Sequence, residues 1–202
     1  MEIVSAPVLT IGHSAHSPER FVALLQGVGA TAVADVRSMP WSRRHPQFGR
    51  QRLSATLRDA GIGYVFLGEE LGGRPRSREF YRDGVADYEM MARTDSFHRG
   101  LDRVLAGTAR YRIALMCAEH DPLDCHRCLL VARALAERSV DIGHVMSDGT
   151  IVPQAAIEDR LLVLAGGDAA DLFAPRAEQL AAAYHARARR FAFRDPPATS
   201  GG

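Results

Sequence analysis

Short uninterrupted apolar runs alternate along this chain with longer stretches in which apolar residues recur every three or four positions. "VLTIG" (8–12) is such a run, closed by His13 and Ser14, and reads as a buried strand. "SPERFVALLQGVG" follows. It offers Ser17 as N-cap, Pro18 at the first helical position, an apolar stripe at Phe21, Leu24, Leu25 and Val28, and Gly29 as the stop. "TAVADVR" (31–37) is the second strand. A polar loop, "SMPWSRRHPQFG", leads from it to a helix at about 50–60 that ends at Gly61. "IGYVFLGE" (62–69) is the third strand, and "LGGRPRSREF" (71–80) a Gly- and Arg-rich loop. Residues 79–106 read as two helices parted near Thr94–Ser96. "YRIALMC" (111–117) and "VDIGHVM" (140–146) are the fourth and fifth strands, separated by a helix over "CHRCLLVARALAER" (125–138).

This order predicts an α/β fold: a mostly parallel sheet with helices on both faces, plus a C-terminal helical appendage. The expected division is a core domain at 1–152, an appendage at 153–194 and a disordered tail at 195–202. A chain of 202 residues, 47% of them hydrophobic, buries a core without help from disulfides or metal. A net charge of +1 supplies no global field toward nucleic acid or membrane. All 25 basic residues are arginine, so every cation is a planar fork suited to carboxylate or phosphate. The first residues lack the basic leader and long apolar run of a signal peptide, and no stretch resembles a membrane span. Three clustered cysteines then point to reduced thiols and a cytoplasmic location.

Folds of this kind bind ligands beyond the carboxyl ends of their strands. The strand ends here deliver His13 and Ser14, then Asp35 and Arg37, then Cys117 and Glu119, with Cys125, His126 and Arg127 close behind. Alternation in "VADVR" puts Asp35 and Arg37 on one face, and an Asp on a buried strand needs a partner. Glu69 and Glu70 close the third strand and read as solvated, with entry of one of them into the cleft as the alternative. Trp41 and Phe48 either pack the polar loop or stack on a base. His144 reads equally as a core histidine or a ligand.

"MCAEHDPLDCHRCLL" (116–130) holds every cysteine. Cys117 closes a buried strand, and Cys128 lies one turn into a helix beside Leu129 and Leu130. Both suit a core role. Asp124 as N-cap makes Cys125 the first helical residue, where unpaired amides and the charge of His126 and Arg127 favour a thiolate or an anion. The spacing Cys-x7-Cys-x2-Cys is not one of the usual zinc patterns. It matches neither a Walker loop nor a thiol phosphatase.

"TIGHS" (10–14), "DVRSMPWSRRHPQF" (35–48), "GIGYVFLGEELGGRP" (61–75), "ALMCAEHDPLDCHR" (114–127) and "GHV" (143–145) resemble, in order and spacing, the domain-of-unknown-function family 488. The resemblance covers residues 8–150 and implies a compact α/β domain. It implies little about activity. The family's polar positions correspond to His13, Ser14, Asp35, Arg37, Pro40, Ser42, Phe48, Gly72, Gly73, Cys117, Glu119, Cys125, His126 and Arg127. Cys128 and the appendage lie outside that pattern.

Three functions are consistent with these residues. The first is an enzyme binding an anionic, phosphorylated substrate of nucleotide or nucleic-acid type. Its nucleophile is Cys125 or Cys117, its base His13 or His126, and its orienting group Glu119 or Asp35. Ser14, Arg37, Trp41, Arg43, Arg44, Arg74 and Arg127 contact the substrate. The second is an enzyme dependent on a transition metal, with His13, Cys117, Cys125 and His126 as the candidate ligands. The third is a nucleic-acid-binding module using the Arg loop and the "RARRF" tail (187–191), its binding steeply salt-dependent.

Overall fold

The computed structural model describes residues 7–166 and 174–195, so residues 196–202 of the expected tail lie outside it. The first half follows the periodicity closely. Strand β1 (Val8–Gly12) leads to α1 (Pro18–Gly27), capped by the Ser17 hydroxyl, which accepts from the Arg20 amide. Strand β2 (Ala32–Asp35) runs into the polar loop, then α2 (Arg50–Asp59) and β3 (Gly63–Phe66). The third strand is shorter than its apolar run suggested, because Gly68–Leu71 turn into a short helix, α3. Glu69 and Glu70 therefore belong to that helix and not to a strand end. Glu70 pairs with Arg103.

The stretch expected to be wholly helical opens with a hairpin instead, β4 (Tyr81–Arg82) against β5 (Val85–Ala86). Its turn residues Asp83 and Gly84 have φ of +51° and +72°, the left-handed pair that two-residue hairpins favour. Helices α4 (Tyr88–Ala92) and α5 (Asp95–Thr108) follow, parted where expected, with Thr94 capping α5. Strand β6 (Ile113–Cys117) leads through a short 3-10 turn, Pro122–Asp124, to a π-helical turn, Arg127–Ala132, which continues as α6 (Arg133–Ala136). Strand β7 (Ile142–Val145) pairs with an unexpected antiparallel partner, β8 (Ile151–Pro153). Helices α7 (Gln154–Ala165) and α8 (Arg176–Phe191) complete the described chain.

Six strands form one sheet in the order β3-β2-β6-β1-β7-β8, parallel except for β8. Alternate residues of the central strands point into two cores, as strand periodicity requires. Leu9, Ile11, Val33, Ala114 and Met116 meet α1 and α2 on one face. Val8, Ala34, Leu115 and Cys117 meet α5, the π turn, α7 and α8 on the other. The C-terminal helices thus share the domain's second core through Ile157, Leu161, Ala183 and Tyr184.

His144 is a core histidine, clear of the cleft described below. Its Nε2 donates to Gln154 Oε1 at 2.6 Å, its Nδ1 accepts from the Thr10 hydroxyl at 2.9 Å, and Gln154 donates to the Tyr184 hydroxyl at 2.6 Å. Burial is the main force holding His144 at a pKa of about 4, below its ordinary 6.5. The unfolded chain therefore takes up this proton first as pH falls. The stabilising contribution of neutral His144 is complete above pH 6.5 and is lost between 6.5 and 4, on the order of 3 kcal/mol. His13, also held at about 4, acts in the same window. Urea unfolding from pH 7 to 4 should show this decline, and His144→Asn should flatten it. A variant as pH-dependent as the wild type would refute the role of His144.

Candidate active site

Strand β1 hands the chain to α1 on one face of the sheet, and β6 hands it to the π turn on the other. The two strands are neighbours, with Gly12 level with Cys117. A crevice opens at such a reversal, beyond the carboxyl ends of the strands. The backbone continues the pairing past both strands: the His13 amide donates to the Cys117 carbonyl at 2.8 Å, and the Ser14 amide to the Ala118 carbonyl at 2.9 Å. Above this junction lies a cleft of about 800 Å³.

Cys117, Cys125 and His126 form its floor. Their ligating atoms all lie within 4.8 Å of one another. His126 Nε2 lies 2.8 Å from the Val36 carbonyl, which can only accept, so Nε2 carries a proton. Nδ1 is thereby turned to the sulfurs, 3.5 Å from Cys117 Sγ and 3.8 Å from Cys125 Sγ. Gly73 lies directly on the imidazole. A Cβ there would be 2.6 Å from His126 Cγ.

The protons of this cluster are shared unequally. The Cys125 thiol donates to Cys117 and outweighs the cost of burial, and His126 and Arg127 add positive charge. Cys117 is thus the sulfur that ionises, well below its ordinary range. Burial and the Cys117 thiolate push Cys125 up. Burial works against a charged His126, but the thiolate and the Val36 carbonyl prevail and raise its pKa. Glu119, exposed at the cleft edge, is raised by desolvation and by the same thiolate. Cys128 faces the core, where burial raises its thiol to about 12.

Cys125 differs from the helix-start role expected for it. Asp121, not Asp124, caps the preceding turn, accepting from the Leu123 amide at 2.8 Å. Asp124 pairs with Arg187 of α8. Cys125 remains extended (φ −138°, ψ 139°) and caps the helix itself, its carbonyl accepting from Cys128 and Leu129 and its sulfur from the Arg127 amide at 3.5 Å.

One wall is built from β2 and the polar loop. The Asp35 carboxylate takes Arg37 Nη2 at 2.7 Å, Nε at 2.9 Å and the Tyr64 hydroxyl at 2.8 Å, with both members of the ion pair buried. Arg37 then donates to the Phe48 carbonyl at 2.9 Å and lies 3.3 Å from His13 Nε2. His13 donates Nδ1–H to the Ser14 carbonyl at 2.9 Å and stacks on Phe48 at 4.3 Å. Desolvation first, and the Arg37 charge after it, hold His13 neutral down to about pH 4. Both of its nitrogens are occupied, so it is placed to orient Arg37 and is turned away from the sulfurs.

Of the thirteen site residues expected from sequence, eleven line the cleft: His13, Ser14, Arg37, Trp41, Arg43, Arg44, Arg74, Cys117, Glu119, Cys125 and His126. Asp35 and Arg127 do not. Asp35 acts through Arg37. Arg127 is fully buried, and its guanidinium donates to the carbonyls of Glu119 and His120, so it holds the loop that carries Glu119 and touches no substrate space. Among the described residues, Arg43, Arg44 and Arg74 have no carboxylate partner, while Arg74 lies 4.7 Å over the Phe193 ring. Within the "RARRF" tail, Arg187 pairs with Asp124 and Arg189 with Asp83, so two of its three cations are already engaged. Sequence reasoning missed Ser38, His45, Tyr88, Phe191 and Phe193 as lining residues. The two phenylalanines bring the C-terminal segment to the cleft mouth.

A mostly parallel α/β sheet with a thiol–imidazole cluster at its reversal point defines the class. The chain belongs to the family described as Domain of unknown function DUF488, whose model matches residues 17–134, more than half of its length. His13 and Ser14, and the Gly143–Val145 motif, fall outside the matched span. No curated protein and no solved structure matches the chain. Among the described residues, no helix is long and apolar enough to cross a membrane.

Proposed function

We propose that this chain is an enzyme that binds an anionic, phosphate-bearing substrate in the cleft and acts on it at the Cys117–Cys125–His126 floor. One observation carries the reading: a thiol–imidazole cluster lies beneath arginines that, among the described residues, have no carboxylate partner. Of the cleft carboxylates, Asp124 is already paired to Arg187. Guanidinium forks match phosphate oxygens in pairs. Trp41, 54% exposed at the cleft edge, offers a flat face for a base, which makes a nucleotide the favoured substrate type.

Trp41 is the only tryptophan, so its fluorescence reports the cleft alone. Titration with pyrophosphate and with a nucleoside diphosphate should change this emission. Each of Arg43→Ala and Arg44→Ala should weaken binding by roughly 10-fold or more, since a charged hydrogen bond contributes about 1.5–3 kcal/mol. Unchanged emission at millimolar ligand, or variants that bind as the wild type does, would reject the anion cleft. If long single-stranded nucleic acid binds far better than the diphosphate, with a steep salt slope, the small-substrate reading fails and the nucleic-acid module replaces it.

A further inference from the structure

We propose that Cys117, Cys125 and His126 are the three protein ligands of a zinc ion whose fourth position opens into the cleft. The inference rests on the reading of the cleft as an enzyme site and names its cofactor. Two thiolates and an imidazole form a donor set that zinc accepts, and three protein ligands with one open position is the arrangement of catalytic zinc.

The geometry supports this in three ways. Zinc–sulfur bonds of about 2.3 Å and zinc–nitrogen bonds of about 2.0–2.1 Å at tetrahedral angles place sulfur and nitrogen about 3.6 Å apart. Nδ1 of His126 lies 3.5 Å from one sulfur and 3.8 Å from the other. Second, the remaining ring nitrogen donates to the Val36 carbonyl at 2.8 Å. A metal-binding histidine is oriented by such a bond, which fixes the tautomer that leaves Nδ1 for the ion. Third, the ligands come from two well-packed places: the end of β6, and the junction of the turn after it with the next helix, where Cys125 and His126 are adjacent. The residue between Cys117 and Glu119 continues the sheet pairing, so the floor is rigid on one side.

Sequence spacing hid this set, because the seven residues between Cys117 and Cys125 form a turn that doubles back. His13, the fourth candidate ligand by sequence, is excluded. Its Nδ1 donates to the Ser14 carbonyl and its Nε2 faces Arg37. Cys128 faces the core. The open position is thus left to water or to a substrate oxygen arriving beneath the arginines.

The test uses full-length, untagged, reduced protein, incubated with Zn(II), desalted and analysed for metal by mass spectrometry. Wild type and Cys128→Ala should hold about one zinc per chain. Cys117→Ala, Cys125→Ala and His126→Ala should each lose it. Because a buried alanine variant could fail to fold, wild type is also titrated with Co(II). A tetrahedral site with two thiolates should give sulfur-to-cobalt charge-transfer absorption, abolished by prior zinc. Wild type that retains no zinc and shows no such absorption overturns the proposal, and so do ligand variants that are folded and retain zinc fully. Pyrophosphate binding read through Trp41 separates the two proposals. Protein that retains no zinc after incubation yet binds pyrophosphate overturns the zinc site and leaves the anion cleft standing; zinc-loaded protein that binds none does the reverse.

Discussion

Asp35→Ala is expected to cost the fold about 3–5 kcal/mol, the largest stability effect of any single change in the site. The carboxylate is fully buried and takes four donors: the Arg37 amide at 3.1 Å, two guanidinium nitrogens, and the Tyr64 hydroxyl. Its removal leaves a buried guanidinium without a counter-charge and a phenol without its acceptor. For a chain of this size the loss lowers Tm by roughly 6–20 °C. The pair itself is worth less than this figure, since both charges were desolvated to form it. Hence Arg37→Ala in the Asp35→Ala background should cost much less than Arg37→Ala alone. Thermal or urea unfolding of the two single variants and the double variant checks this. Strict additivity would mean that the two side chains stabilise the fold independently, and the ion pair would lose its structural role. The damage also reaches the floor, because Val36, whose carbonyl holds His126, lies between the two partners.

That pair was legible in outline. An Asp in an apolar strand, two positions from an Arg on the same face, needed a partner, and the partner proved to be that Arg. What the sequence withheld was Tyr64, which reaches Asp35 only because β3 lies beside β2 in the sheet. The same limit explains other differences. Arg127 follows two polar residues and looks available, yet it is the largest fully buried side chain, drawn inward by two backbone carbonyls from the preceding loop. Such carbonyls carry no sequence signature. Asp121 and Asp124 are equal candidates for a cap, and only the Pro122–Asp124 turn selects the first. The hairpin at 81–86 was missed although Asp83–Gly84 is a strong turn signal, because the apolar residues around it also fit a helix. Phe191 and Phe193 reach the cleft from the far end of the chain, a contact that no local pattern records. The strand–helix alternation, by contrast, depends on local periodicity and was legible throughout the first half.

Gly73→Ala should disable the floor while leaving the fold largely intact. A Cβ at this position would lie 2.6 Å from His126 Cγ, 2.7 Å from its Cβ and 3.0 Å from Nδ1, closer than carbon atoms approach. Either the imidazole or the loop must move. The imidazole is tied to the Val36 carbonyl and packed against two sulfurs, so moving it breaks that hydrogen bond and turns Nδ1 off the metal position. The loop carries exposed Arg74 and Arg76 but is held by the Arg74 amide on the Ser38 hydroxyl, by the Tyr81 hydroxyl on the Pro75 carbonyl and by Arg74 on the Phe193 ring, so only part of the strain is relieved by its retreat. Overpacking of this kind costs about 1–3 kcal/mol, a fall of several degrees in Tm. Zinc affinity should fall more, by roughly 10–100-fold, the range for losing a group that orients a ligand. Competition with a chromogenic chelator measures this, with Gly27→Ala as the control, since a Cβ there meets nothing within 4 Å. If Gly73→Ala holds zinc as tightly as Gly27→Ala does, the close seat of Gly73 does not position His126. If Gly73→Ala instead unfolds, the loop is less yielding than its exposure implies, and the glycine serves the fold before it serves the site.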